Sequence, residues 1–163
     1  VRLREHGEKH NSSLVAMNDL AFLLEARGKL SEATEMCERA LDVYKDLKGE
    51  THADTLTVMN NLAYLLDQEG QGQKAEEMAR QVLVGREATL GLDHTDTNTA
   101  VYNLAQLLEE HGKLDEAESL YLREHEWCKK TYGPRSRFSQ ESGQNLLRFR
   151  KARMVGGPVS KPS

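Results

Sequence analysis

The chain has 163 residues, of which 38% are hydrophobic and 29% charged, and its formal net charge is −4. No stretch is long and apolar enough to predict a transmembrane helix. Residues 1–128 carry 13 Lys and Arg against 25 Asp and Glu, so nucleic acid is not an expected partner, because its phosphates would be repelled. The two cysteines, Cys37 and Cys128, lie in separate predicted helices and are expected to be free thiols in a reducing compartment, which indicates the cytoplasm.

The sequence repeats with a period of 42 residues and needs no insertion to stay in register. The identical columns are His10/His52/His94, Leu20/Leu62/Leu104, Ala21/Ala63/Ala105, Leu24/Leu66/Leu108, Gly28/Gly70/Gly112 and Ala33/Ala75/Ala117. A match of this length indicates a repeat protein. It predicts the end of a preceding repeat or linker at 1–9, repeats at 10–48, 49–90 and 91–132, a partial fourth repeat or capping helix at 133–153, and a disordered tail at 154–163.

Each unit contains two predicted helices that flank a glycine. In the first unit the first helix has apolar residues at three- and four-residue spacing, namely Leu14, Met17, Leu20, Ala21 and Leu24. The residues predicted to cap the first helices are Ser12, Asp54 and Asp96. Those predicted to end them in a left-handed conformation are Gly28, Gly70 and Gly112. The second helix of the first unit is predicted over residues 30–48.

One hairpin of this kind cannot bury its apolar stripe alone, whereas stacked hairpins can, since each buried Leu contributes about 1.5–3 kcal/mol. No stretch has the pattern of a strand. The predicted fold is therefore all-α: an α–α superhelix of about three complete helical hairpins plus a C-terminal helix, with the first helices on the concave side.

The C-terminal helix is predicted over residues 139–153, where Leu146, Leu147 and Phe149 are expected to cap the last hairpin. Four cations are then expected to be exposed, namely Arg148, Arg150, Lys151 and Arg153. Residues 129–163 contain nine bases and one acid. Two interpretations are open: contact with an acidic surface (anionic lipid, a microtubule wall or the chain's own acidic groove), or a solubilising cap.

The pattern Leu20-Ala21, Leu24, Gly28, Ala33 and Ala40-Leu41 resembles a tetratricopeptide repeat. The 42-residue period, the NNLAxLL helix, the GKLxEA turn and the LGxxHxDT linker are similar to the repeats of kinesin light chains. This resemblance covers residues 3 to about 133 and implies a tetratricopeptide repeat solenoid. In the third copy Glu124-His125 replace the expected Ala-Leu, which predicts a polar break where a fourth unit would pack.

The same resemblance implies a non-enzymatic protein–protein interaction scaffold, a kinesin light chain-like cargo adaptor in the cytoplasm that associates with microtubules. It also implies contact with kinesin heavy chain through a region outside this sequence. Because this repeat type also occurs in multidomain signalling nucleotide hydrolases, a sensor or regulatory array of such an NTPase is the alternative.

Two adjacent asparagines, Asn60 and Asn61, interrupt an otherwise apolar helix, although asparagine is a poor helix former. Positions 57, 60, 64 and 67 share one flank of this helix and are expected to face the inside of the superhelix. A side-chain amide has donors and an acceptor, so it can bind the backbone of an extended peptide. The predicted peptide-binding groove consists of Asn18, Phe22, Thr57, Asn60, Asn61, Tyr64, Asp67, Thr99, Tyr102, Asn103 and Gln106. The alternative is that Asn18, Asn60 and Asn103 join neighbouring helices and only hold the superhelix together.

The predicted groove contains no Lys or Arg, and four acids lie in it or beside it: Glu25, Asp67, Glu109 and Glu110. A site that binds carboxylates needs cations. Neutral or basic extended segments are therefore the expected partners.

No motif indicates catalysis, and neither a cofactor nor a metal is predicted. The three linker histidines, His10, His52 and His94, are expected to cap or pack the loops. His125 and Cys128 have a spacing that could share a metal, but no second pair of ligands accompanies them. No serine or cysteine has a plausible base and orienting partner.

Overall fold

Six helices joined by short loops make up the described part of the chain, residues 27–156 of the computed structural model. In chain order they are α1 (Leu30–Lys48), α2 (Ala53–Gln68), α3 (Gly72–Leu90), α4 (Thr95–Glu110), α5 (Leu114–Tyr132) and α6 (Arg137–Val155). No strand occurs between residues 27 and 156, which confirms the all-α fold class. The first helix predicted in the first repeat, with Asn18 and Phe22, lies outside the described residues, as does Ser12.

The chain divides into two units, Val1–Gly85 and Arg86–Ser163, and α3 crosses the boundary between them. In the first unit α1 packs against α2, and in the second α5 packs against both α4 and α6. The apolar stripe predicted on α2 is buried, since no member is more than 6% exposed: Leu56, Met59, Leu62, Ala63 and Leu66. None of the helices within residues 27–156 is long and apolar enough to span a membrane.

A buried hydroxyl closes each linker between a hairpin and the next helix. It donates to the carbonyl of the glycine that follows the preceding helix, at 2.7–2.8 Å. The pairs are Thr55–Gly49, Thr97–Gly91 and Ser139–Gly133. The three glycines have φ of 87–90°, a conformation that other residues adopt only with strain. The hydroxyl column thus repeats with the same 42-residue period as the glycines.

The N-caps of α2 and α4 differ from the prediction. The helices begin at Ala53 and Thr95, and the capping residues are His52 and His94. Each imidazole Nδ1 accepts a hydrogen bond from the backbone N–H two residues later, at 3.2 Å and 3.1 Å. Asp54 and Asp96 were therefore wrongly predicted as caps. They lie inside the first turn, where a carboxylate is favoured by the helix dipole. The expected capping role of the linker histidines is confirmed for His52 and His94.

The C-terminal helix, α6, extends two residues beyond each predicted end. Leu146 and Phe149 are buried as predicted, but Leu147 is 57% exposed, so its expected capping role is wrong. The reason is helical geometry, because positions three apart share the face that packs on α5 whereas the intervening position 147 does not.

The polar break predicted at Glu124-His125 does not prevent α6 from packing on α5. His125 Nδ1 lies 2.8 Å from the Ser142 hydroxyl, and Gly143 leaves room for the ring, because a Cβ there would be 3.0 Å from His125 Cε1. Glu124 is buried and accepts a hydrogen bond from the Cys128 thiol. Ser142 and Gly143 of α6 therefore accommodate the His125 ring of α5, and Glu124 is satisfied in part within α5 itself.

Candidate functional site

The predicted groove residues of the first unit lie along one side of α2, here called the α2 polar face: Thr57, Asn60, Asn61, Tyr64 and Asp67. Tyr64 is 47% exposed, whereas the two asparagines and Asp67 are half-buried. Thr57 is exposed, and its hydroxyl donates to the Ala53 carbonyl at 2.9 Å. This face therefore presents an aromatic ring to solvent between two amides and a carboxylate.

The corresponding residues of the second unit form the α4 polar face: Thr99, Tyr102, Asn103 and Gln106. Gln106 Nε2 donates to the Tyr102 hydroxyl oxygen at 3.1 Å. The Tyr102 ring packs edge-on against Tyr121, with 6.1 Å between ring centroids. Burial raises the pKa of Tyr102, and the carboxylate of Glu124 adds to the increase. Tyr102 is therefore an uncharged, half-buried side chain. Gln106 holds its hydroxyl group, and Tyr121 packs against its ring.

Beside the α4 polar face, Glu109 is at the centre of a buried polar cluster. Its side chain is only 6% exposed, and both carboxylate oxygens accept from the Arg148 guanidinium of α6, at 2.9 Å and 3.2 Å. The Tyr121 hydroxyl donates to the same carboxylate at 2.5 Å. Burial is the largest cause that raises the pKa of Tyr121, followed by this hydrogen bond. The hydrogen bond to Glu109 also raises the pKa of Arg148, so the guanidinium remains charged.

The position of Arg148 corrects the sequence prediction. Arg148 was expected to be exposed, but it is about one-third exposed and forms a bidentate pair with Glu109. Arg150 and Arg153 remain exposed as predicted, yet both bind α5: Arg150 pairs with Glu118, and Arg153 pairs with Glu118 and Asp115. Three of the four cations are therefore neutralised within the second unit.

This pairing changes the charge near the predicted groove. Glu109 was counted among the acids that repel acidic peptides, but Arg148 compensates its charge. Glu109 therefore no longer supports the expectation of neutral or basic partners. No local sequence signal predicts the pair, because its members are 39 residues apart and on different helices.

The two buried cysteines, Cys37 and Cys128, are not activated thiols. Burial raises the pKa of Cys37 and of Cys128 to about 11, so both thiols are neutral at pH 7. His125 bonds Ser142, and Cys128 donates to Glu124 Oε1 at 3.3 Å. Among residues 27–156, no group of three or more His, Cys, Asp or Glu side chains is placed to bind a metal ion.

The helical hairpins repeat every 42 residues, with glycine turns and a buried Leu and Ala core, which is the arrangement of a helical-repeat solenoid. Residues 12–88 match the family model of the tetratricopeptide repeat. The fold is that of a tetratricopeptide repeat solenoid, and the repeats are similar to those of kinesin light chain-like proteins. No curated protein shows significant sequence similarity to it.

Solved structures with the same fold support this assignment. A Podosopora anserina protein with nearly identical tetratricopeptide-like repeats, assigned as a kinesin light chain, superposes with a TM-score of 0.78 at 24% identity, covering 88% of this chain and 68% of that chain. A single-residue variant of it gives 0.79 at 25% identity, covering 89% and 68%. BtubC (BKLC) from P. vanneervenii superposes with a TM-score of 0.65 at 19% identity, covering 92% of this chain and 68% of that chain.

Proposed function

We propose that this chain is a non-enzymatic scaffold whose two units each bind extended peptide segments of partner proteins, the first through the α2 polar face and the second through the α4 polar face. A tetratricopeptide repeat fold supports a protein–protein interaction role in general. The finer proposal is carried by one observation: Tyr64 is 47% exposed beside half-buried amides, on a helix whose other side is core. An exposed aromatic ring with adjacent amides is the composition expected of a peptide-binding surface.

The chemistry of the α2 polar face suits an extended backbone. The amides of Asn60 and Asn61 can donate to a peptide carbonyl and accept from a peptide N–H, each bond contributing about 0.5–1.5 kcal/mol net. Tyr64 supplies an apolar anchor with a polar end, and such residues often dominate binding energy. Asp67 favours a neutral or basic segment over an acidic one. On the α4 polar face, Tyr102 and Gln106 are already joined to each other, so we expect them to contribute contact area more than new hydrogen bonds.

The test is a screen of a random peptide library against the whole chain, followed by affinity measurement for the selected peptides. Replacing Tyr64→Ala should weaken them by about tenfold or more, as expected for an interface anchor. Leu47→Ala is a matched control, because Leu47 is an equally exposed hydrophobic residue on α1 and should leave the affinities unchanged. Selected peptides that are insensitive to Tyr64→Ala and to Asn61→Ala would refute this site.

The charge preference has a separate test. In a selected peptide, replacing each Lys by Glu should weaken binding, and Asp67→Asn in the protein should reduce that difference. Tighter binding of the Glu-substituted peptide would overturn the proposed preference for neutral or basic segments.

At the level of cellular role, we propose a kinesin light chain-like cargo adaptor in the cytoplasm, associated with microtubules and joined to kinesin heavy chain through a region outside residues 1–163. The similarity to the Podosopora anserina repeat protein supports it. The alternative is a sensor array within a larger multidomain signalling NTPase. The full reading frame discriminates between them: a heptad coiled coil upstream of Val1 favours the adaptor, and a phosphate-binding loop favours the sensor.

A further inference from the structure

The linker between α5 and α6, residues 133–136, differs in charge from the two earlier linkers. The segment 127–138 contains no acid and four cations, namely Lys129, Lys130, Arg135 and Arg137. Phe138 stands in the first turn of α6, where the equivalent residues of α2 and α4 are Asp54 and Asp96. The start of α6 is therefore basic and aromatic, whereas the starts of the two earlier helices carry a carboxylate.

A row of three aromatic rings lies beside this linker. Tyr132 packs edge-on against Trp127, with 5.5 Å between ring centroids, and Phe138 packs on Tyr132 at 4.7 Å. Trp127 is buried, and its indole Nε1–H donates to the Asp93 carbonyl at 3.1 Å. The outer two rings, Tyr132 and Phe138, are 40% and 56% exposed, and Leu92 of the adjoining α3–α4 loop is 64% exposed. Two neighbouring loops thus present apolar side chains to solvent.

The cations around these rings are only partly compensated. Lys130 pairs with Asp93 at 2.9 Å, and Arg137 pairs with Glu141 at 2.7 Å. Arg135 is exposed and forms no ion pair with any residue between 27 and 156. The surface, here called the third-linker patch, consists of Leu92, Lys130, Tyr132, Arg135, Arg137 and Phe138. It suits an acidic surface that also offers apolar contacts.

The outward side of α1 in the first unit has this complementary composition. Four exposed acids recur there at helical spacing, namely Glu35, Glu38, Asp42 and Asp46. Glu35 pairs with Arg39, whereas the other three form no ion pair with the described residues, 27–156. Val43 and Leu47 lie beside them and are 36% and 53% exposed. These four acids with Val43 and Leu47 are here called the α1 outer face.

We infer that the third-linker patch of one copy of this chain binds the α1 outer face of a second copy. The contact brings the uncompensated guanidinium of Arg135 to the uncompensated carboxylates of Asp42 and Asp46. It also covers Phe138 and Leu47, which are both more than half exposed in the single chain. Because the two surfaces are different, the contact is heterologous, and it joins copies head to tail in an open row or a ring.

Charge decides which occupant the two surfaces fit. Two third-linker patches would repel each other, and so would two α1 outer faces, which excludes a symmetric contact of either surface with itself. An anionic membrane would complement the patch but would leave the acids and apolar side chains of α1 exposed. A second copy complements both surfaces at once.

The test follows the mass of the whole chain by sedimentation velocity from about 10 μM to about 1 mM, because a helix face and two loops form an interface of small area. We expect the mean mass to rise above that of one copy over this range. Raising the NaCl concentration from about 50 mM to about 500 mM should weaken the association by about tenfold, since exposed ion pairs are screened.

Two variants each remove one side of the contact. Asp42→Asn with Asp46→Asn reduces the charge of the α1 outer face. Arg135→Gln with Phe138→Ala removes the uncompensated cation and one ring from the third-linker patch. Each variant alone should associate at least about tenfold more weakly than the unmodified chain. An equimolar mixture should associate to the mass of two copies and no further, because the first variant retains the patch and the second retains the α1 outer face.

Matched controls make the same chemical changes elsewhere. Glu77→Gln with Glu110→Gln removes two exposed charges from α3 and α4. Lys151→Gln with Leu147→Ala removes an exposed cation and an exposed apolar side chain from α6. Neither control should change the association. Tyr64→Ala should also leave it unchanged, which separates this inference from the proposed function.

The inference is overturned if the chain keeps the mass of one copy over the whole concentration range, or if the mixed variants do not associate. It is also overturned if the control variants weaken the association as much as the surface variants do. A chain that keeps the mass of one copy and binds phosphatidylserine vesicles through Arg135 and Phe138 would overturn it too, and would assign the patch to a membrane surface.

Discussion

Residues 42 positions apart occupy equivalent places on the helices of the two units, but their side chains have different neighbours. Tyr64 is 47% exposed on α2, whereas its equivalent Gln106 on α4 is half-buried. A cleft beside Gly85 is open in the first unit, whereas Trp127 fills the equivalent place in the second. The repeat constrains the turn glycines and the buried Leu and Ala columns, and it leaves the remaining positions free to diverge. Differences between units therefore indicate where recognition is to be sought.

The largest effect is expected where an indole ring closes the second unit. Trp127→Ala removes a buried ring and its hydrogen bond to Asp93, and should lower the free energy of unfolding by about 3–5 kcal/mol. Urea unfolding followed by circular dichroism measures this change. Val84→Ala at the rim of the open cleft is the control and should stay within about 0.5 kcal/mol. Equal effects of the two substitutions would show that the two clefts do not differ as described.

The next largest effect is expected at the buried cluster beside the α4 polar face. Glu109→Gln keeps the shape of the side chain but leaves the Arg148 charge uncompensated, and should cost about 3 kcal/mol of unfolding free energy. Glu126→Gln removes an ion pair with Lys129 at a fully exposed position and should have a far smaller effect. If Glu109→Gln cost no more than Glu126→Gln in thermal unfolding, the cluster would not stabilise the second unit.

The linkers that precede α2 and α4 are expected to lose the same stability when their buried hydroxyl is removed. Thr97→Val leaves the Gly91 carbonyl without its hydroxyl donor in a buried site, which should cost about 1–2 kcal/mol. Thr55→Val should cost about the same in the first unit, because its hydroxyl makes the same bond to Gly49. Thr99→Val, at an exposed position of α4, is the control for the loss of a hydroxyl. A large difference between Thr55→Val and Thr97→Val would contradict the equivalence of the two linkers.

The smallest predicted effect is a pH dependence confined to the second unit. The buried position occupied by Val82 in the first unit is Glu124 in the second, and burial raises the pKa of Glu124 above its ordinary value of 4.5. The folded chain therefore binds this proton more tightly than the unfolded chain. The stabilising contribution of protonated Glu124 is complete below pH 4.5 and is lost as the pH rises through the raised pKa.

Thermal unfolding of Glu124→Gln between pH 4.5 and 8 should show a flatter pH dependence and greater stability at neutral pH. An unchanged profile would show that Glu124 titrates normally.

The sequence alone determined the repeat, the helix order and the glycine turns, because these depend on local chemistry. Apolar spacing identified the buried stripe of α2, and glycine marked the turns where φ is positive. The same spacing placed Thr57, Asn60 and Tyr64 on one flank, where the structure finds them exposed or half-buried. It placed the caps of α2 and α4 two residues too late, at Asp54 and Asp96, because spacing alone does not decide between an imidazole and a carboxylate acceptor at the start of a helix.

Only the tertiary structure decided which distant side chains meet. Arg148 reaches Glu109 across 39 residues, and Trp127 reaches the Asp93 carbonyl across 34. Such contacts depend on how one helix packs against another. The 42-residue period predicts the helices but not which of their side chains meet. The cleft beside Gly85 likewise exists because α1, α2 and α3 leave space there. Residue spacing in a sequence does not indicate where helices leave a cavity.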